Sequence, residues 1–302
     1  MVLLALSLFI FFLISAKPVN SQIPIFYQLL QAYHPVSLGL NEPPSSIVSY
    51  SSLAKSTLAS FPPTPAVPTV LGVTTSLPPI GGSGKVTTIV VLGDSMIDSL
   101  GADIPKLQQA LQKLYPNQKF SIINYGYSST NIDYGLYRLT NNFEYKGLPY
   151  QSLISLNPDI VVVESFAYNN FGNTQSGIDR QWLNLGAITT ILKEKLPDTQ
   201  IVLAATIAPN SVIFGNGAPG LSFSALEKIE RTKTINLYLQ NLINFANSQG
   251  FPLTNAYTGS LIDGNGRKDF ISSDGIHPST LGSEFFSQTL ARTIHDNNLI
   301  SP

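Results

Sequence analysis

Two short segments of the chain, VTTIVVLG at 86–93 and PDIVVVES at 158–165, are apolar through their centres without regular alternation of polar residues. Strands of this kind are buried on both faces, which is typical of a parallel sheet covered by helices. Further strands are predicted at 121–126, 200–209 and 252–257. Helical patterns separate these segments, so the sequence predicts an α/β fold built on a five-stranded parallel sheet.

Cap residues and apolar periodicity mark the helices between the strands. Asp103 is placed to cap a helix before the second strand, and residues 181–196 have a helical pattern. Ser224 and Glu227 form a capping-box pattern that opens a long helix, which Gly250 is placed to end. The predicted core-facing residues of these helices, and of a last helix capped by Ser279, are Leu107, Ala110, Leu111, Leu114, Ile229, Ile235, Leu239, Leu242, Ala246, Leu281, Phe285, Phe286, Leu290 and Ile294.

The composition excludes several classes of function. Of the 302 residues, 43% are hydrophobic and only 12% are charged, with a net charge of −1. This suits a buried core, and the lack of a basic block argues against a nucleic-acid partner. There is no cysteine, so a thiol nucleophile and a cysteine zinc site are excluded. The three histidines form no cluster, and neither a metal nor another cofactor is predicted.

The loops that follow the predicted strands hold the polar residues that the strands lack. The first strand is followed by GDSM (93–96), the second by NYGYSS (124–129) and the third by ESFAYNN (164–170). DGIHPS (274–279) follows the fifth strand after a further loop. Ligands bind at the carboxyl ends of the strands in such sheets. A serine, a glycine, an asparagine and an aspartate–histidine pair are therefore predicted to meet at one edge of the sheet.

His277 is the candidate general base for Ser95. A serine hydroxyl is a weak nucleophile until a base removes its proton, and the pKa of histidine near neutrality suits that role. His34 lies before the first strand and His295 near the end of the last helix, so only His277 is placed at the sheet edge. Asp274, three residues earlier in a turn, is positioned to orient the imidazole.

These four segments resemble the four sequence blocks of the SGNH hydrolases, which are also called GDSL-like hydrolases. The resemblance extends over about residues 86–297 in block order. It implies a flavodoxin-like three-layer α/β/α sandwich and ester hydrolysis by a Ser–His–Asp triad formed by Ser95, His277 and Asp274.

An oxyanion hole requires hydrogen-bond donors beside the nucleophile. The candidates are the backbone N–H groups of Ser95 and Gly126 and the side-chain amide of Asn169. We expect the lack of a Cβ at Gly126 to let substrate approach closely. The family resemblance implies a Gly-x-Asn-Asp pattern in the third block, whereas this chain has AYNN at 167–170. Asn169 is aligned with the family asparagine, which leaves Asn170 as a supporting residue.

The predicted function is serine esterase activity on carboxylic O-acyl esters, O-acetyl esters among them, carried by cell-envelope glycans or lipids. One alternative is an acyltransferase that moves the acyl group to a sugar. Another is a non-catalytic glycan-binding domain, in which Ser95 only caps a helix and His277 only stabilises a turn. Aromatic residues in the same loops either stack on sugar rings or pack between the loops; they are Tyr125, Tyr127, Phe166, Tyr168 and Phe171.

The part of the chain before the first strand differs in composition. Residues 1–21 contain an apolar run from Val2 to Ala16, shorter than the roughly 20 residues of a spanning helix. They are predicted to be a signal peptide or an N-terminal membrane anchor. Residues 22–84, rich in proline and serine, are predicted to be a stalk or linker, and residues 85–302 the catalytic domain. The protein is therefore expected to be secreted or in the cell envelope, with a membrane tether if the segment is not cleaved.

Residues 85–302, produced without the N-terminal segment, should be soluble and should hydrolyse esters as fast as the full chain, because every predicted site residue lies after residue 84. The measurement is kcat/KM on a short p-nitrophenyl ester for both forms. An aggregated or inactive product would show that residues 22–84, with their apolar stretch IPIFYQLL at 23–30, pack on the catalytic domain.

Overall fold

The computed structural model of the protein describes residues 86–300. The predicted signal peptide or anchor at 1–21 and the predicted linker at 22–84 lie outside the described residues. Within the described part of the chain, no helix is both long enough and apolar enough to cross a membrane.

Strands and helices alternate along most of this range. The strands are β1 (Val86–Gly93), β2 (Lys119–Gly126), β3 (Phe143–Tyr145), β4 (Leu148–Tyr150), β5 (Ile160–Glu164), β6 (Gln200–Ala205), β7 (Leu253–Asn255), β8 (Leu261–Ile262) and β9 (Asn265–Gly266). The α-helices are α1 (Ser95–Asp98), α2 (Pro105–Leu114), α3 (Ile132–Thr140), α4 (Gln175–Lys195), α5 (Ala225–Gln249), α6 (Ala256–Gly259) and α7 (Thr280–Asp296). Short 3₁₀ segments lie at Leu153–Leu156, Ala167–Asn169 and Lys268–Phe270.

Five strands form one parallel sheet in the order β2-β1-β5-β6-β7, which confirms the predicted sheet. Ranked within the sheet, this is the order 2-1-3-4-5 of flavodoxin-like folds. The direction of winding reverses beside β1, so the carboxyl end of β1 lies at the switch point where ligands bind in such sheets. The pairs β3–β4 and β8–β9 form small antiparallel hairpins outside this sheet.

Helices cover both faces of the sheet. In β1, Val90 and Leu92 point to the face that packs against α3, α4 and α5. Ile89 and Val91 point to the opposite face, which packs against α1, α2 and α7. All four side chains are fully buried. This burial explains the continuous apolar pattern of the strand, and the predicted three-layer α/β/α architecture is confirmed.

Most of the predicted helix caps are present. Ser224 and Glu227 form a capping box at the start of α5, and Gly250 ends that helix with a left-handed φ of 68°. At the start of α7, the hydroxyl of Ser279 accepts the N–H of Gly282 at 3.2 Å. These caps fix the ends of the helices that lie before and after the last loops of the sheet edge.

The cap predicted at Asp103 is wrong. Helix α2 begins at Pro105 after Ile104, and no side chain caps it. A proline in the first turn has no N–H to satisfy, so this helix loses little without a cap. Helix α4 begins earlier than predicted, at Gln175, with the side chain of Thr174 as its cap.

Some predicted boundaries and core positions also differ from the structure. The strands predicted at 200–209 and 252–257 are shorter, because β6 ends at Ala205 and β7 covers only Leu253–Asn255. Three residues predicted to face the core are instead exposed, namely Leu114 by 37%, Ile229 by 51% and Leu281 by 53%. Each lies near an end of its helix.

Candidate active site

The chain turns sharply between β1 and α1, and this turn presents Ser95. Asp94 caps the helix, since its Oδ1 accepts the N–H of Met96 at 2.8 Å. Ser95 is therefore not the cap but the first helical residue; it is partly exposed, and its N–H has no acceptor among the described residues. A Cβ on Gly93 would lie 2.3 Å from Cγ1 of Ile97, so only a glycine lets α1 fold back this close to β1.

Asp274 and His277 form a hydrogen-bonded pair in the last loop of the sheet edge. Nδ1 of His277 lies 2.6 Å from Oδ2 of Asp274, and the two side chains are 30% and 26% exposed. A carboxylate can only accept, so Nδ1 carries the proton and Nε2 keeps its lone pair. The predicted pair thus has the geometry in which an aspartate orients a histidine for general-base catalysis.

The second oxygen of Asp274 is fully engaged. Oδ1 accepts hydrogen bonds from the hydroxyl of Ser272 at 2.6 Å, the N–H of Ile276 at 2.8 Å and the N–H of His277 at 3.0 Å. Burial opposes the ionisation of Asp274, but these hydrogen bonds and the one to the imidazole outweigh it and lower its pKa to about 2. The carboxylate is therefore ionised at neutral pH and can stabilise an imidazolium.

The loop 206–223, between β6 and α5, fits closely against this turn. Gly275 has a φ of 75°, and a Cβ there would lie 2.0 Å from the carbonyl oxygen of Ile213. The N–H of Gly215 donates to the carbonyl of Gly275 at 3.3 Å. The position of the aspartate–histidine pair is therefore fixed by backbone contacts with a long loop from the neighbouring strand.

Asn169 and Asn170 follow β5 but have different partners. Nδ2 of Asn169 donates to Oδ2 of Asp94 at 3.0 Å, which brings its amide beside the residue that precedes Ser95. Asn170 turns back on its own loop, where its Nδ2 donates to the carbonyl of Ala167 at 2.8 Å. A side-chain amide has two hydrogens, so Asn169 keeps one for a further acceptor. Only Asn169 is oriented toward the serine turn.

Gly126 ends β2 and pairs with Gly93 across the sheet. Its N–H donates to Oδ1 of Asn124 at 2.9 Å, so this donor is engaged by a residue of its own strand. A Cβ at Gly126 would lie 2.4 Å from the backbone nitrogen of Asp98 and 2.7 Å from Cβ of Ile97. The expectation that the missing Cβ leaves room for substrate is therefore wrong, because α1 occupies that space.

The pKa of Asp94 depends on burial and on groups from several neighbouring segments. Burial raises its pKa, and the hydrogen bonds from Met96 and Asn169 oppose that rise. The positive charge of Arg138 opposes it as well, and so would His277 in its protonated form. His277 is therefore within electrostatic reach of Asp94, and the hydrogen bond from Asn169 to Asp94 joins the loops after β5 and β1.

Glu164 is a buried acid beside Asp94 that the sequence analysis did not single out. Its Oε2 accepts the N–H of Phe166 at 2.9 Å and lies 3.5 Å from the backbone nitrogen of Asp94, while Oε1 lies 2.5 Å from the hydroxyl of Ser165. Burial raises the pKa of Glu164 well above its ordinary value, and the charge of Asp94 adds to the rise. Both effects favour the protonated form of Glu164. Its one signal in the sequence is an acidic residue ending an apolar strand.

The candidate aromatic residues are mostly part of the core. Tyr125 and Tyr127 are each 3% exposed and Phe166 is 1% exposed, so none of these three can stack on a sugar from solution. Tyr168 and Phe171 are partly buried against the same cluster. For the first three residues, packing between loops is the correct interpretation.

The parallel 2-1-3-4-5 sheet places the serine turn at its switch point, and the aspartate–histidine pair lies in the last loop of the same sheet edge. Residues 91–285 match the model of the GDSL-like lipase/acylhydrolase family. The match spans more than half of the chain, and the chain belongs to this family. The family resemblance drawn from the four sequence blocks is confirmed.

Solved structures with the same fold include three bacterial proteins, each with a TM-score of 0.50. The lipase/acylhydrolase from Enterococcus faecalis is 19% identical, with 70% of this chain and 96% of that chain covered. A protein from Bacteroides fragilis assigned as an acylhydrolase is 17% identical, with 71% and 88% covered. A protein from Parabacteroides merdae assigned as a GDSL-like lipase is 16% identical, with 72% and 98% covered. At these identities the likeness shows the fold alone. A search of curated protein sequences finds no match.

Replacing Glu164 with glutamine should leave folding and hydrolysis nearly intact, because glutamine keeps the size and neutrality of a protonated carboxyl. A group with a raised pKa in the folded state favours folding most below its unfolded pKa, and this contribution is lost as the pH rises toward the folded value. Relative to wild type, the free energy of unfolding of Glu164→Gln should therefore rise between about pH 5 and about pH 9. Urea unfolding at both pH values measures this difference.

The control is Glu164→Ala, which leaves the N–H of Phe166 without its acceptor and should lose about 1–3 kcal/mol of stability at either pH. Equal losses in the glutamine and alanine variants would contradict a protonated Glu164.

Proposed function

We propose that this protein is a serine esterase that hydrolyses carboxylic esters through an acyl-enzyme, with Ser95 as nucleophile, His277 as general base and Asp274 as the residue that orients it. The observation that carries the proposal is the 2.6 Å hydrogen bond between Asp274 and Nδ1 of His277, which leaves Nε2 to accept a proton. Membership of an acylhydrolase family supports the same assignment.

In the proposed acylation, Oγ of Ser95 attacks the ester carbonyl carbon while its proton passes to Nε2 of His277. The ionised Asp274 stabilises the resulting imidazolium. The bond between the acyl carbon and the alcohol oxygen then breaks, and the imidazolium gives its proton to that oxygen. In deacylation a water molecule attacks the acyl carbon while one of its protons passes to Nε2 of His277. The bond between the acyl carbon and Oγ of Ser95 then breaks, the imidazolium returns the proton to Oγ, and the carboxylic acid is released.

We infer that the oxyanion is bound by the N–H of Ser95 and the second amide hydrogen of Asn169. Both donors lack another acceptor among the described residues, and Asn169 is held beside the serine turn by Asp94. Gly126 is a third donor in this proposal. Its N–H must then exchange the 2.9 Å hydrogen bond to Asn124 for the oxyanion.

We propose O-acyl groups, O-acetyl among them, on cell-envelope glycans or lipids as the substrate. The apolar segment Val2–Ala16 ahead of the catalytic domain supports a location outside the cytoplasm, secreted or tethered to the membrane. A panel of p-nitrophenyl esters of short and long acyl chains, with acetylated oligosaccharides, tests this assignment. Release of free acid, rather than an acylated sugar, distinguishes hydrolysis from acyl transfer. Activity on long-chain esters alone would rule out the O-acetyl assignment.

Ser95→Ala and His277→Ala should each lower kcat for ester hydrolysis by several powers of ten without unfolding the domain, because the nucleophile or its base is lost. A fluorophosphonate probe should label the wild-type protein but not Ser95→Ala. The matched controls are Ser248→Ala and His295→Ala on the surface, which should keep full activity. If either site variant kept about a tenth of wild-type turnover, the assigned role would be wrong.

Asn169→Ala should lower kcat by about 10²–10³ with little change in KM, as expected for the loss of one oxyanion donor. Asn170→Ala should lose much less, because its amide is bonded to the carbonyl of Ala167. Steady-state kinetics of both variants on one activated ester provide the comparison. The reverse order would assign the donor to Asn170, and small losses in both would leave the oxyanion to backbone N–H groups alone.

A further inference from the structure

Arg138, on α3, is a fully buried cation without a carboxylate partner among the described residues. Its guanidinium donates only to backbone carbonyls. Nη2 donates to Gly93 at 3.1 Å, and Nη1 donates to Tyr125 at 3.3 Å. Nε donates to Tyr134 of the same helix at 3.3 Å. Burying an unpaired charge costs several kcal/mol, so this arrangement calls for an explanation beyond packing.

Aromatic rings enclose the rest of the guanidinium. The rings of Tyr127 and Tyr134 lie 4.5 and 5.4 Å from its central carbon, and the ring of Phe166 lies 6.0 Å away. A Cβ at Gly135 would lie 2.6 Å from the ring of Phe166, so this glycine lets the ring approach α3. Burial lowers the pKa of Arg138 to about 10, which still leaves it protonated at neutral pH. These three rings form an aromatic cage that holds the positive charge of Arg138 in one fixed place.

The two carbonyls outside α3 belong to the peptide units that lead into the candidate site. The peptide that begins with the carbonyl of Gly93 carries the N–H of Asp94, one residue before Ser95. The peptide that begins with the carbonyl of Tyr125 carries the N–H of Gly126. Gly93 and Gly126 are register partners in β1 and β2, so one guanidinium joins the ends of both strands.

We propose that Arg138 is a positioning residue for ester hydrolysis, whose guanidinium fixes the peptide planes at the ends of β1 and β2 and polarises their N–H groups. A cation on a carbonyl oxygen strengthens the N–H of the same peptide as a donor, because hydrogen bonds in a chain polarise one another. The inference deepens the proposed function, since it concerns the serine turn and the candidate donor at Gly126. It predicts an effect on the chemical step rather than on substrate binding.

Only an arginine side chain can make these three hydrogen bonds, because its guanidinium is planar and rigid. Three nitrogens of one rigid group reach three carbonyls in different directions, which the single nitrogen of a lysine cannot do. A residue that only filled the cage could be replaced by methionine with a loss of stability alone. The two substitutions therefore separate a positioning role from a packing role.

The experiment compares Arg138→Lys and Arg138→Met with Leu139→Ala, a matched control on the same helix. Leu139 is also fully buried in this core but makes no polar contact with the site. We expect both Arg138 variants to lower kcat by about 10- to 100-fold while KM changes by less than about 3-fold, at a temperature where each is folded. Leu139→Ala should lower the unfolding temperature while kcat stays within about 2-fold. The rate at which a fluorophosphonate labels Ser95 should fall with kcat.

Three results would overturn the proposal. The first is a wild-type kcat in folded Arg138→Met. The second is full activity in Arg138→Lys alone, which would show that kcat depends on the positive charge and not on the planar guanidinium. The third is failure of both variants to fold, which would make Arg138 a residue of stability only. These results differ from failure of the proposed function, in which wild type itself would not be labelled at Ser95 or would hydrolyse no ester.

Discussion

The carboxylate of Asp94 is the group on which the geometry of the candidate site depends. One oxygen caps α1 and so sets Ser95 at the first position of the helix, while the other receives the amide of Asn169, 75 residues further along the chain. A buried carboxylate that lost either donor would keep its desolvation cost without compensation. The two hydrogen bonds therefore hold the loops after β1 and β5 in one relative position. This is possible because β1 and β5 are neighbours in the sheet, although they are distant in sequence.

Three ionisable side chains lie fully buried next to the serine turn, namely Asp94, Arg138 and Glu164. Burial raises the pKa of both carboxyl groups, and that of Glu164 lies well above its ordinary value. The positive charge of Arg138 opposes the rise in the pKa of Asp94, and its guanidinium donates to the carbonyl of Gly93, the residue before Asp94. The charge of Asp94 adds to the rise for Glu164, because two ionised carboxylates would repel each other in a medium of low dielectric.

The sheet and the four sequence blocks are predictable from the sequence because each depends on a local rule. Strands buried on both faces are apolar throughout, and a nucleophile, its base and the orienting acid require particular residue types near strand ends. Arg138 and Glu164 could not be found in this way, since charged side chains are normally exposed and periodicity carries no information on a buried exception. The hairpin β3–β4 and helix α3 were also missed. Their packing depends on aromatic contacts among residues 125–150, which only the folded chain brings together.

The glycines of the sequence blocks are required by close packing of the backbone, whereas the proposed catalytic residues are required for their chemistry. A Cβ at Gly93 or Gly126 would meet α1 at 2.3 or 2.4 Å, and one at Gly275 would meet the carbonyl of Ile213 at 2.0 Å. In each case the neighbour is a segment that fixes a functional side chain: α1 bears Ser95, and the loop 206–223 supports the turn of Asp274 and His277. A larger residue would therefore displace Ser95 or His277, the proposed nucleophile and base, even though it touched no substrate. Each of these blocks therefore contains both a residue needed for its chemistry and a glycine needed because the backbone packs closely there. That combination keeps the blocks recognisable in a chain that shares less than a fifth of its residues with solved structures of the same fold.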